Sequence, residues 1–425
     1  MSGIDFKSLR NAFEVKGYDQ LEIYALSGKS KKMDVSDNRV DAVNLEEDYS
    51  IGIRALVDNK IGFTTTDTID DIINTAEKAV KLADLSQSTM FSFPLKKNSF
   101  NKVGGIYDRS IIEDQIDSQV NALGECIDST EYDVVDGNLS LNSSEMFLLN
   151  SCGIERKEKK TIKSVNFSLT DGNITRFSSK TRTKNFRNKE VLEKSEDLLR
   201  RSEQRKNIDS GSKTVVLTPH AQRQIFSGLL FPAFNADNVQ RGKSFLDGKK
   251  GEEVFSDSLS ITDNGLMEGG VGTKSFDREG TSSQKTELVE KGVVKNFLYD
   301  VRRAEKDGVE STGNASGSPS SSPGISPTNM VFDGEKQSLD GLEDYVLIDS
   351  VSGVHTADVE SGDYSLNILC GFIKDEGREY GIKSGMLVGN IVSLLKNFSH
   401  MAGDKEKSGR LVTSKAVFED QNIVV

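Results

Sequence analysis

Apolar residues recur at every second position over much of the first two hundred residues, and at every third or fourth in a few bounded stretches. The alternation marks half-buried strands, and the wider spacing marks amphipathic helices. Gly17–Val43 reads as two strands, LEIYALSG and KKMDVSDNRVDAVNL, joined by a turn at Ser27–Lys31. Tyr49–Phe63 adds YSIGIRALV and KIGFTTT around the turn pair Asp58-Asn59. A helix follows, with Ile69, Ile72, Ile73, Ala76, Ala79, Val80 and Ala83 on one face. A second helix is predicted over Asp108–Ile127, carried by Ile112, Ile116, Val120, Leu123 and Ile127. Strands resume at Val134–Leu141, Glu145–Leu149, Lys159–Asp171 and Ile174–Thr183. A charged helix from Lys189 to Arg205, apolar at Val191, Leu192, Leu198 and Leu199, closes this half.

Beyond the polar segment Asn207–Lys213 the helical signal thins to Ala221–Phe226 and to Ile382–Asn397. Short strands separated by glycine turns fill the rest. The pattern predicts an α+β protein: an N-terminal antiparallel sheet with helices on one face over residues 1–206, then a mostly β domain over 207–425. Gly313–Pro327, GNASGSPSSSPGISP, holds three of the six prolines and is expected to be a long surface loop.

Composition narrows the function classes. The chain has 425 residues, enough for two domains, and a net charge of −12, which argues against a general phosphate-binding or nucleic-acid surface. The basic clusters Arg156–Lys163 and Lys180–Lys189 read as solvated strand edges or turns. Cys126, Cys152 and Cys370 are odd in number, far apart and without a C-x-x-C pair, which suits a reducing cytosol and gives neither a disulfide framework nor a cysteine zinc site. No apolar run reaches the roughly 18 residues of a spanning helix. MSGIDFKSLRNAFEVKGYD lacks a continuous apolar core, so a cytoplasmic protein without a membrane partner is expected.

Phe276–Ala315 is the most specific stretch. FDREG, TELVEKGVVKNFLYD and VESTGNA follow one another, punctuated by Gly280, Gly292, Gly308 and Gly313, with Val293–Tyr299 reading as a short strand. With GYDQLEIYALSG, LLNSCGIE, VVLTPHA, FSDSLSITDNG and SGDYSLNILCGFI, the ordered set resembles the TldD/PmbA family of modulators of DNA gyrase and associated peptidases. VQRGKSFL at Val239–Leu246 is similar to the PmbA (TldE) branch.

The resemblance implies two such domains, pairing of subunits, and proteolysis of unfolded or leader peptides. It also implies that a TldD-type subunit carries H-E-x-x-x-H after a Leu-Leu pair, with a late cysteine as a further zinc ligand. Here Leu229-Leu230 is followed by Phe231 where the first histidine belongs, Pro232 where the glutamate belongs, and Ala236 at the second histidine. Pro232 should also break a helix presenting ligands. The last residues, GRLVTSKAVFEDQNIVV, contain no cysteine. No cofactor is expected.

Other candidates are weaker. His220, His355 and His400 are the only histidines, and no two have ligand spacing; His220 reads as a helix-start or surface residue, and His400 as a partner for the preceding helix's last carbonyls. HTADVESGDYS places Asp363 and Ser365 near His355, which admits a hydrolytic triad, a strand lining the groove where subunits or peptides meet, or plain turns. No G-x-S-x-G elbow is present. Asp277 and Glu279 read either as an acid–base pair or as a turn salt-bridged to Arg278 or Lys285. Asn314 joins the groove or interface candidates, and GLMEGGVG at Gly265–Gly272 reads as a loop.

The leading expectation is a non-catalytic PmbA/TldE-type subunit that pairs with a zinc-bearing TldD-type subunit, or with itself, and helps to hold extended peptides. The alternatives are a homodimeric peptide- or protein-binding module and an autonomous hydrolase that uses no zinc.

Overall fold

The computed structural model describes residues 4–88, 91–95 and 102–425, so Met1–Gly3 at the head of the N-terminal segment lie outside the described residues. The first half is a six-stranded antiparallel sheet in the order β3-β2-β1-β4-β5-β6. Its strands are β1 Gln20–Ser36, β2 Arg39–Val57, β3 Lys60–Thr66, β4 Asp133–Asn150, β5 Glu155–Thr170 and β6 Thr175–Arg182. Odd-numbered residues of β1 face the helices. Leu21 and Ile23 share a core with Ala76 and Ala79 of the helix Ile72–Ala83. Met33 and Val35 share one with Leu123 and with Leu192 of the helices Ile116–Asp128 and Lys189–Arg201. The helices therefore cover one face of the sheet, as an α+β reading requires.

Several elements differ from expectation. No turn interrupts β1 at Ser27–Lys31: Gly28 pairs with Asp48 on one side and Ser144 on the other, and ladder bonds from both neighbours outweigh local turn propensity. The hairpin turn is at Asp37-Asn38, and like Asp58-Asn59 it has positive φ at both residues, as two-residue hairpins prefer. Likewise Asn142–Ser144 continues β4. The helix predicted over Asp108–Ile127 is broken at Asp114-Gln115, where ψ is 142° at both residues. Lys160 and Lys163 are not solvated. Lys160 Nζ donates to the carbonyls of Val271 (2.5 Å) and Thr273 (2.9 Å), and Lys163 Nζ donates to Asn185 and Phe186.

The second half is built on a mixed sheet. Leu259–Asn264, Met330–Gly334, Leu411–Val424, Gly211–Leu217, Tyr345–Ser352 and Asp363–Asp375 lie side by side in that order. Arg205–Lys206 adds to the same sheet beside Ile382. The helix Pro219–Gly228 buries Ile225 and Phe226 on it, with the Phe226 ring stacked 4.9 Å from that of Phe332. The helix expected over Ile382–Asn397 is confined to Ile391–Lys396, because Met386–Asn390 is a strand between Asp363–Asp375 and the C-terminal strand. Only Val293–Val294 of Val293–Tyr299 is strand.

On the opposite face of β1, Glu22 and Tyr24 meet the second half at Arg278. Across this contact Gly52 of β2 meets the Gly313–Pro327 segment: a Cβ at Gly52 would lie 2.2 Å from the Pro319 carbonyl oxygen. That segment is not wholly a surface loop. Ala315–Ser316 pairs with Gly324–Ile325, and Pro319 is buried while Ser318 and Ser320 are exposed.

Candidate functional site

After Leu229-Leu230, Phe231, Ala233, Phe234 and Ala236 are buried in the apolar core, and Pro232 and Asn235 are half-buried. Thr218 caps the helix Pro219–Gly228 by accepting the Ala221 amide at 3.3 Å. That helix ends at Leu229 and a four-residue helix, Leu230–Ala233, restarts beyond it. A proline four residues after Gly228 forbids the intervening turn from continuing the first helix. Phe231 and Ala236 are buried in the main core of the second half. Asn235 then caps a short helix through the Asp237 amide (2.9 Å), and Asp237 is tied to Arg303 (3.0 Å), which also binds Asp300 (2.7 Å). Phe231, Pro232 and Ala236 offer no nitrogen, oxygen or sulfur lone pair from a side chain, so they do not fit a metal. Among the described residues no group of three or more His, Cys, Asp or Glu side chains is placed to hold one. The three histidines lie on separate elements: His220 in the helix Pro219–Gly228, His355 in the single turn Val354–Thr356, and His400 on the strand Phe398–Ser408. His220 is at its helix start but buried, and His400 is a buried strand residue rather than a helix C-terminal partner.

FDREG is buried whole between the two halves. Arg54 of β2 stands opposite Glu22 of β1 in register and forks onto it, Nε to Oε1 at 2.9 Å and Nη2 to Oε2 at 2.8 Å. Its remaining nitrogen, Nη1, donates to Glu279 Oε1 at 3.0 Å. Arg278 Nη1 returns the link, donating to Glu22 Oε1 at 2.8 Å. All four side chains are at most 5% exposed. Aromatic faces complete the cage: Phe91 and Phe93 lie 5.5 and 5.0 Å from the Arg54 guanidinium, and Tyr24 lies 3.9 Å from that of Arg278. The pairing with Lys285 is not formed; that residue is exposed on the strand Lys285–Glu290.

The cluster holds the chain in place rather than presenting acids to solvent. Asp277 accepts the amides of Glu279, Thr281 and Ala315, each at 2.9 Å, and so clamps its own turn to the root of the next segment. Glu279 Oε2 accepts the Val301 amide at 3.0 Å. Asn314 is buried beside them and donates to Asp263 at 2.7 Å. Burial raises the Glu279 carboxyl to about 7 against the pull of Arg54, with Asp277 and Asp300 adding to the rise. Burial also acts upward on Glu22, but Arg54 and Arg278 together hold it below the ordinary glutamate value. Gly280 closes the turn at φ +84°, and a Cβ there would lie 2.7 Å from Leu148 Cδ2 of β4. Glu22 and Arg54 escaped the sequence reading. Their signal was a lone charge inside an apolar strand, in LEIYAL and IGIRALV, which a charged residue enters only with a buried partner.

His355, Asp363 and Ser365 are all exposed. Asp363 is engaged by Asn390 (2.7 Å) and Ser361 (2.8 Å), which lower its pKa in that order. Among the described residues no hydrogen bond links His355 to Asp363 or Ser365. A groove of 750 Å³ opens beside the FDREG turn instead, lined by Phe93, Leu95, Gly280, Gln284, Val301 and Val309. Leu95 is 71% exposed there, an apolar side chain with nothing above it among the described residues.

Known proteins share this architecture and sequence. Residues 210–424 match the family model for the PmbA/TldA metallopeptidase C-terminal domain, and residues 21–83 match PmbA/TldA metallopeptidase domain 1. An uncharacterized protein of Methanocaldococcus jannaschii is 33% identical over 425 residues, covering 99% of this chain and 100% of its own. A protein of Methanothermobacter thermautotrophicus described as a metalloprotease is 26% identical, covering 90% of this chain and 88% of its own. The crystal structure of TldE from Thermococcus kodakarensis superposes with a TM-score of 0.88 at 20% identity, covering 99% of each chain.

Proposed function

The chain belongs to the PmbA/TldD family of metallopeptidases, and on that premise we propose that it is the non-catalytic, TldE-type subunit of a two-subunit peptidase. The observation that carries this reading is the set Phe231, Pro232 and Ala236, which puts carbon where a ligand helix would need two imidazoles and a carboxylate. Its role is to pair with a metal-bearing TldD-type subunit, or with a second copy of itself, and to wall the chamber in which unfolded or leader peptides are cut. The groove over Phe93, Leu95, Val301 and Val309 is the surface suited to an extended chain or to the partner, since apolar side chains there await cover. Three unpaired cysteines suit a reducing cytoplasm.

Co-purification with a TldD-type subunit tests the reading. A stable complex, with peptidase activity present in the mixture and absent from either chain alone, is the expected result. Full-rate cleavage of an unfolded substrate by this chain alone, with chelator present, would refute it.

A further inference from the structure

Five cationic side chains, Lys180, Arg182, Lys194, Arg223 and Lys407, line one 240 Å³ cavity on a chain whose net charge is −12. The cavity lies where β6, the helix Lys189–Arg201, the start of the helix Pro219–Gly228 and the strand Phe398–Ser408 converge. Glu190 and Glu406 are the carboxylates in its lining. Glu190 is already engaged by Lys180 and Arg187, and Glu406 makes no ion pair among the described residues. Arg223 and Lys194 have neither a hydrogen bond nor an ion pair among the described residues. Arg182 donates to the Thr181 carbonyl at 2.7 Å and has the Glu406 and Glu190 carboxylates near enough to favour its charge, and Lys407 donates to the Glu268 carbonyl at 2.9 Å.

A second observation comes from His220. It lines the same cavity at 5% exposure, and its Nε2 has no partner. Burial, followed by the neighbouring Arg182, holds the Lys407 ammonium below its ordinary pKa, and burial alone does the same for the Arg223 guanidinium. Five cations face two carboxylates in this half-buried space, and the excess of positive charge favours a bound anion. The positive end of the ten-residue helix Pro219–Gly228 adds to the same potential.

We propose that this cavity binds a phosphate dianion, either free or as the phosphoryl end of a small monoester. Two planar guanidiniums can fork onto phosphoryl oxygens while the lysines supply point charges. The volume of 240 Å³ admits the phosphoryl group and a few carbons. The site goes beyond the peptidase-subunit reading and shares no residue with the FDREG cluster, so either can fail alone.

The test is calorimetric titration of the full chain with sodium phosphate, glycerol 3-phosphate and succinate, each against sodium chloride at matched ionic strength. One saturable phosphate site per chain is expected, weakened about tenfold or more by Arg223→Gln and by Lys194→Gln, with unchanged circular dichroism. Tighter binding of glycerol 3-phosphate than of phosphate identifies a monoester, and equal binding identifies free phosphate. The proposal is overturned if no saturable phosphate binding appears up to about 10 mM. It is equally overturned if both variants bind as the parent does, or if succinate binds as well as phosphate.

Discussion

Replacing Arg54 by methionine keeps an unbranched apolar stem, shorter than arginine's, and removes the one group that joins Glu22 to Glu279. Three charged hydrogen bonds disappear, two to Glu22 and one to Glu279. Glu22 retains Arg278 at 2.8 Å; Glu279 retains the Val301 amide and has no other ion-paired cation among the described residues. Breaking a buried pair by removing one partner costs about 3–5 kcal/mol, against about 0–1 kcal/mol for a surface pair. Glu279 limits the loss by taking up a proton, because its carboxyl already stands near 7. The expected loss is therefore about 3–5 kcal/mol at a pH above that value, and smaller below it. The chain has no tryptophan, so urea unfolding followed by far-UV circular dichroism is the suitable assay. The double variant Arg54→Met/Glu279→Gln should lose less than the sum of the two single changes, by about 1 kcal/mol or more. Because the pair bridges the two halves, separate transitions for the halves are also expected in the single variant. A loss under about 1 kcal/mol, additive with Glu279→Gln, would mean that the cluster behaves as a surface pair and would refute the reasoning.

Other consequences follow from the same contacts. Gly280→Ala should destabilise the chain by about 1–3 kcal/mol, since the residue sits at positive φ and its methyl would meet Leu148; a neutral result in the same unfolding assay would show that the turn can shift. Glu279 titrates near 7 folded and near 4.5 unfolded, so its contribution is fully present below pH 4.5 and falls as pH rises to about 7. The urea midpoint of the parent should carry that fall and Glu279→Gln should flatten it; equal slopes would contradict the assignment. Asn314→Ala removes the donor to buried Asp263 and should cost about 1–3 kcal/mol in thermal or urea unfolding. His355→Ala should leave the urea midpoint unchanged, because the exposed ring makes no hydrogen bond among the described residues.

Much of the fold was legible in the sequence. Period-two alternation placed the strands around Asp58-Asn59, and 3.6-residue spacing placed the helix Ile72–Ala83, because each pattern records which side of one element faces apolar neighbours. The misplaced turn at Ser27–Lys31 has a different cause. Ser27, Lys29 and Lys31 look like turn residues locally, yet ladder bonds from β2 and from β4, the latter more than a hundred residues further along the chain, hold them extended. The same applies to Lys160: its composition suggests a solvated edge, and only the approach of Val271 and Thr273 turns it inward.

The sequence by itself determined the α+β class, the family resemblance, and the absence of ligand-bearing side chains at Phe231, Pro232 and Ala236, since each follows from residue identity at a position. Only the tertiary structure decided what FDREG is for. Acid and base in one short phrase look the same in a solvated turn and in a buried lock; the difference lies in Glu22 and in Arg54, the nearer of which is 225 residues away in the chain from Glu279. Burial and pairing belong to two segments at once. Neither segment alone records the other, so a charge network of this kind becomes visible when the sheet and the turn meet.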